Sequence, residues 1–164
     1  MSNLEIEMCC KEIGQSTIIQ DYFDNNKNNL IFDFYFGFAL AEIPIEIILS
    51  DPLLNDINQK YKIDSGAILR LDPFRCYQWH VDDIRGVSIN MLLTPNSKSM
   101  VLFGEISKES EDQLDIIEFK YSPLTLYWFN TQKIHTVINF EEPRYLFSIE
   151  FQLHKKLLNF DMIR

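Results

Sequence analysis

Basic residues are in short supply in this chain. Lys and Arg together number 15 against 24 Asp and Glu, for a net charge of -9 over 164 residues. Binding to phosphate backbones draws its affinity from Lys and Arg, so this balance disfavours non-specific contact with nucleic acid and leaves only a local basic pocket open. Cysteine is scarce as well. Cys9 and Cys10 are adjacent and Cys76 stands alone. An odd count without scaffold spacing argues against a disulfide framework and fits a reducing, cytoplasmic setting, with Cys9 and Cys10 as small apolar residues. There is no run of about 18 apolar residues, so no membrane span is expected, and the first ten residues lack the basic flank of a signal peptide. With 5 Gly, 6 Pro and no repeat, the chain shows no boundary or linker. The polar tract Asp24 to Asn29 reads as a surface loop.

The interior is well supplied. Hydrophobic residues make up 46% and aromatics 13%. A chain of this length buries roughly two-thirds of its unfolded surface, enough to enclose a cavity without disulfides. One domain over residues 1–164 is expected. Leu30 to Leu40 alternates, with Phe32, Phe34, Phe36 and Phe38 on one face of an expected strand. Ser50-Asp51-Pro52 marks a helix start, and Leu53, Leu54, Ile57 and Tyr61 follow at helical spacing, giving a helix over 52–62. From Gly66 onward, short strand-like runs succeed one another: Ala67–Leu71, Cys76–Val81, Gly86–Leu93, Met100–Phe103, Ile116–Tyr121, Leu124–Phe129, His135–Phe140 and Arg144–Leu153. Turn signals such as Thr94-Pro95-Asn96 separate them. The pattern predicts a mainly β (α+β) jelly-roll-like barrel with helices packed outside it.

Two of the three histidines sit in informative places. In a strand, residues i and i+2 share a face, so His80 and Asp82 can address one point inside a barrel. His135 opens a later strand. Two imidazoles and one carboxylate on one face of an octahedron leave positions open for substrate and O₂, as non-heme iron chemistry requires. Alone, His-x-Asp is a weak signal that an ordinary paired histidine also satisfies. Nine residues after His135 comes Arg144, whose planar fork matches a carboxylate. A neighbouring antiparallel strand would bring it back toward the metal at the span of a five-carbon diacid, with Ser148 on the same strand face. The competing reading makes Arg144 a surface cap of the Glu141-Glu142 turn.

These pieces resemble the core of the Fe(II)/2-oxoglutarate-dependent dioxygenases, and in particular their prolyl-hydroxylase-like branch. The matching tracts are Tyr77 to Asp82, Arg85 to Ser88, Leu126 to Phe129 leading to His135, and Arg144 to Ile149. They cover a core of about 66–152. The resemblance implies a double-stranded β-helix (jelly-roll, cupin-like) barrel with supporting N-terminal helices. It further implies His80, Asp82 and His135 as Fe(II) ligands, and Arg144, supported by Ser148, as the clamp on 2-oxoglutarate. O₂ would convert that cosubstrate to succinate and CO₂ while a C–H bond is hydroxylated, with ascorbate as an assay additive. The prime substrate would be a protein or peptide side chain or a small amino-acid-like molecule. Where the branch often has a tyrosine after His-x-Asp, this chain has Leu92. Asn90 on the same face, or Arg70 from the preceding strand, stands in as a cosubstrate contact. Arg85 is a candidate at the substrate entrance. Trp79 and Trp128 read as wall packing, periodicity puts Tyr77 opposite His80, and His154 reads as exposed.

Two other classes stay open at this point. One is a cupin-like metal barrel without turnover. The other is a structural β-sandwich, for which the aromatic strand Phe32 to Phe38 would suit a homo-oligomer interface.

Overall fold

The computed structural model describes residues 5–163. Met1 to Leu4, part of the stretch read above for a leader, lie outside the described residues. Two antiparallel sheets face each other. The larger contains β1 (Cys10–Gln15), β2 (Asp33–Tyr35), β3 (Phe38–Glu42), β4 (Ile63–Leu71), β6 (Ser88–Leu92), β9 (Thr125–Phe129) and β11 (Arg144–Phe151), in the order β1-β9-β6-β11-β4-β3-β2. The smaller runs β5-β10-β7-β8, from β5 (Arg75–His80), β10 (Ile134–Asn139), β7 (Ser99–Ile106) and β8 (Leu114–Phe119). Successive strands from β5 onward alternate largely between the sheets, the winding of a double-stranded β-helix. The eight strands expected from residue 67 onward all form.

Alternation assigns the faces of the large sheet. On β11, Tyr145, Phe147, Ile149 and Phe151 turn outward, while Arg144, Leu146, Ser148 and Glu150 turn toward the small sheet. The outward set packs under three helices: α1 (Ile18–Asn26), α2 (Ile45–Leu49) and α3 (Pro52–Tyr61). Ile19, Phe23, Ile48 and Leu54 lie in one apolar layer with Ile68, Ile89, Leu126 and Phe147. The helix α3 begins as its sequence predicts. The Asp51 side chain accepts from the backbone N–H of Leu53 at 2.9 Å and Leu54 at 3.2 Å, and Pro52 takes the first helical position. Ser16 donates to the same carboxylate, tying α3 to the end of β1. Among the described residues, no helix is long and apolar enough to cross a membrane.

One expectation about the N-terminal third is corrected, and one strand there had not been expected. Leu30 to Leu40 is not one strand but a hairpin of β2 and β3, turning at Phe36 (φ 43°) and Gly37 (φ 93°). Two consecutive positive φ values make a tight two-residue turn whose twist matches the strands, and glycine takes the second position without strain. The turn also separates the phenylalanines. Phe34 and Phe36 are exposed, whereas Phe38 reaches inward to Tyr77. The unexpected strand is β1, which edges the large sheet against β9 and had no legible signal. Its lone buried hydrophobic position, Cys10, gives no alternation to read.

Candidate active site

Between the sheets lies a cavity of about 830 Å³. His80 ends β5 and His135 sits directly opposite it on β10. Asp82 lies two residues past the strand end, in a loop and not within the strand, yet its carboxylate still joins the pair. The three donor atoms fall within 4.8 Å of one another. The loop is held in place because the Asp82 N–H donates to the Thr131 carbonyl at 3.0 Å, and the Gln132 amide donates to the Asp82 and Arg85 carbonyls at 2.7 Å each.

Each imidazole is oriented from behind. His80 Nδ1 lies 2.7 Å from the Gln78 carbonyl and His135 Nδ1 lies 2.8 Å from that of Lys133. A proton donated there leaves Nε2 unprotonated, which is the tautomer a metal ligand needs. Phe129 packs edge-on against the His135 ring at 5.0 Å and Phe103 lies 5.9 Å away. Burial in this apolar setting lowers the His135 pKa from 6.5 to about 4, so the ring is neutral at ordinary pH. On the Asp82 side, Arg85 donates to Oδ2 from Nε at 2.7 Å and Nη2 at 2.6 Å, while Oδ1 lies 3.6 Å from His80 Nε2. Two imidazoles and one free carboxylate oxygen match the donor set of a non-heme iron site. No thiol is involved, since Cys76 Sγ lies instead 3.5 Å from Thr136 Oγ1.

The same cavity has a second pole. Arg144 is 4% exposed and its Nε and Nη2 have no hydrogen-bond partner. The surface-cap reading of this residue is therefore overturned: it points inward, away from the acidic turn. Unpartnered guanidinium nitrogens in a protein interior are costly and mark a place for an anion. Ser148 and Asn90 are buried, paired across β11 and β6, and line the same cavity. Beside them is Tyr121, which the sequence reading missed. Its ring centroid lies 6.0 Å from the Arg144 guanidinium, and its phenol interacts with both Asn90 and Arg144. Burial raises the phenol pKa and lowers that of the guanidinium. Ile117, Phe119 and Tyr121 alternate, and that spacing was the available signal. The residues opposite this alternation, however, belong to strands distant in sequence.

Not every expected contact reaches the cavity. Arg70 faces outward with Ile68, pairs with Asp72 at 3.0 Å, and stacks over Phe32 at 4.9 Å. The strand period places Leu69 and Leu71 inward and Arg70 on the other face, so it does not join the site. Arg85 lines the cavity, but its guanidinium is engaged by Asp82 and not free at an entrance. Tyr77 departs from simple periodicity. The register shifts between His135 and Val137, placing three β5 steps against two on β10. That irregularity turns Tyr77 to the same side as His80, with ring centroids 4.4 Å apart. Trp128 is buried in the helix-side layer, Trp79 is 38% exposed, and His154 is exposed.

The chain is a double-stranded β-helix of the kind built by 2OG-Fe(II) oxygenases. No protein-family model matches the sequence, and no curated protein matches it. Solved structures do match by shape. A prolyl hydroxylase from Trichoplax adhaerens, solved with a hypoxia-inducible-factor oxygen degradation domain peptide, superposes with TM-score 0.62 at 12% identity, covering 87% of this chain and 82% of that one. A Pseudomonas putida prolyl-4-hydroxylase gives 0.60 at 13%, covering 87% and 90%. An oxidoreductase of the 2OG-Fe(II) oxygenase family from Burkholderia pseudomallei gives 0.60 at 13%, covering 80% and 76%.

Proposed function

We propose that this chain is an Fe(II)- and 2-oxoglutarate-dependent dioxygenase that hydroxylates a protein side chain or a small amino-acid-like molecule. The observation that carries the reading is the pairing of two poles in one cavity. A His80–Asp82–His135 donor set stands at one, and a buried Arg144 with two unpartnered nitrogens stands at the other. A metal barrel without cosubstrate would have no use for that second pole. Likeness to the solved oxygenases supports the same reading.

His80, Asp82 and His135 would hold Fe(II), and Arg144 would receive the distal carboxylate of 2-oxoglutarate in a charge-assisted pair. Tyr121, Asn90 and Ser148 would offer that carboxylate hydroxyl and amide donors, so Tyr121 would take the role left vacant at Leu92. When bound, the iron supplies activation of O₂, which oxidises 2-oxoglutarate to succinate and CO₂ and a substrate C–H to C–OH. The protein's share is to fix the cosubstrate between its two poles, keep the His135 imidazole neutral, and exclude water with Phe103, Phe129 and Leu146.

Anaerobically purified protein, given Fe(II), 2-oxoglutarate, ascorbate and O₂, should form succinate slowly by NMR. His80→Ala and Arg144→Ala should abolish it. Protein that neither forms succinate nor binds 2-oxoglutarate at the metal would sink the proposal and return the cupin-like reading.

A further inference from the structure

Resting on the oxygenase reading above, we infer that the substrate carries a cationic group, an aliphatic ammonium or guanidinium, which pairs with Glu150. This residue follows Arg144, Leu146 and Ser148 at a spacing of two along β11 and so shares their inward face. It pairs with Ser65 of β4, and the neighbouring pair Ile149–Ile89 places it at the level of Ser88, which also lines the cavity. Glu150 is half-buried, and among the described residues its carboxylate has no hydrogen-bond or ion-pair partner. A half-buried carboxylate in a cavity wall, with nothing on the protein to pair with it, is best satisfied by a ligand.

The remaining charges in the wall leave this carboxylate to the substrate. Arg85 is engaged by Asp82, and Arg144 lies at the cosubstrate pole. Among the described residues these are the only Lys or Arg side chains lining the cavity, while Asp83, exposed at the rim, adds negative charge. On the facing sheet Tyr77 touches His80, and Phe38 and Tyr35, from the edge of Glu150's own sheet, add rings to the same cavity, Phe38 meeting Tyr77 edge-on at 5.3 Å and Tyr35 lying against Phe38 at 5.8 Å. Ring faces attract ammonium and guanidinium groups and offer nothing to an anion. A substrate with an acidic group here would meet Glu150 without a counter-charge.

The reaction balances in the ordinary way. One oxygen atom of O₂ enters the substrate C–H bond and the other enters succinate. 2-Oxoglutarate loses CO₂, and the substrate and the cosubstrate each supply two of the four electrons that reduce O₂.

Two sources share this chemistry, a lysyl or arginyl side chain in a peptide and a free cationic amino acid. Succinate formation and saturation-transfer NMR would be measured with N-acetyl-lysine methylamide, N-acetyl-arginine methylamide, free lysine and free arginine. Neutral N-acetyl-norleucine methylamide and acidic N-acetyl-glutamate methylamide serve as controls. The cationic probes should bind and raise succinate above both controls, with the capped or the free series identifying the source. In Glu150→Gln, whose fold is checked by its thermal melt, the cationic advantage should fall about tenfold or more, the scale of one charge-assisted contact. Equal response to neutral and cationic probes, no response to any cation, or an advantage unchanged in Glu150→Gln would each overturn the inference. Retained 2-oxoglutarate binding in those cases would confine the failure to Glu150, whereas its loss would indict the oxygenase reading itself.

Discussion

Arg85 holds one oxygen of Asp82 and leaves the other free. Both Nε and Nη2 reach Oδ2, at 2.7 and 2.6 Å, while Oδ1 faces His80 Nε2 at 3.6 Å. The arginine's own backbone is fixed, because the Thr131 hydroxyl donates to its carbonyl at 2.6 Å. The geometry makes Arg85 a positioning residue, one that would leave Asp82 a single free oxygen for a metal.

Arg85→Gln should therefore weaken metal binding by roughly tenfold or more, in line with other partners behind metal ligands. Titration with Mn(II) followed by electron paramagnetic resonance measures this without turnover. An unchanged metal affinity would return Arg85 to the entrance role expected from sequence.

Arg144 should oppose stability and serve binding at once. Replacing a buried, incompletely paired cation by a flexible apolar residue commonly stabilises, on the order of 1–3 kcal/mol. Arg144→Met should thus raise the melting temperature of the metal-free protein while eliminating the rise that 2-oxoglutarate produces in the wild type. Tyr121→Phe, which removes one hydroxyl beside the guanidinium, should weaken 2-oxoglutarate binding several-fold and leave metal affinity intact.

The low pKa of His135 sets a pH dependence whose sign follows directly. Its folded value, about 4, lies below the unfolded 6.5 because burial penalises the charged ring. Between those values the unfolded chain binds a proton that the folded chain refuses. Stability of the metal-free protein should fall as pH drops from 6.5 toward 4 and then level off, with a total contribution on the order of 3 kcal/mol. Urea unfolding in a chelator across this range, compared with His135→Gln, isolates the effect. The variant should show a shallower decline.

Asp51 caps α3 and accepts from Ser16 at once. Asp51→Ala should cost about 1–2 kcal/mol, the upper part of the range for a lost cap, because the Ser16 hydroxyl also loses its partner. Ser50→Ala, one residue earlier and exposed, should cost far less in the same denaturation measurement.

The sequence alone determined the parts of this protein that local chemistry dictates. Short strand-like runs bounded by turn signals marked the eight strands from residue 67 onward, and Asp51-Pro52 marked the start of α3. The residue types at His80, Asp82, His135 and Arg144 marked a candidate donor set and a candidate anion clamp, and the fold brings all four to one cavity. Tertiary structure decided what local signals cannot carry. Alternation says which residues share a face but not which face is inside, so Arg70 was expected in the cavity and stands outside it. An irregular register between β5 and β10 moved Tyr77 beside His80. The Phe36-Gly37 turn broke a single aromatic run into a hairpin. The placing of Tyr121 and Glu150 in the walls of one cavity, and of Arg85 on Asp82, depends on pairings between segments far apart in sequence. Packing and hydrogen bonding select those pairings only when the whole chain closes.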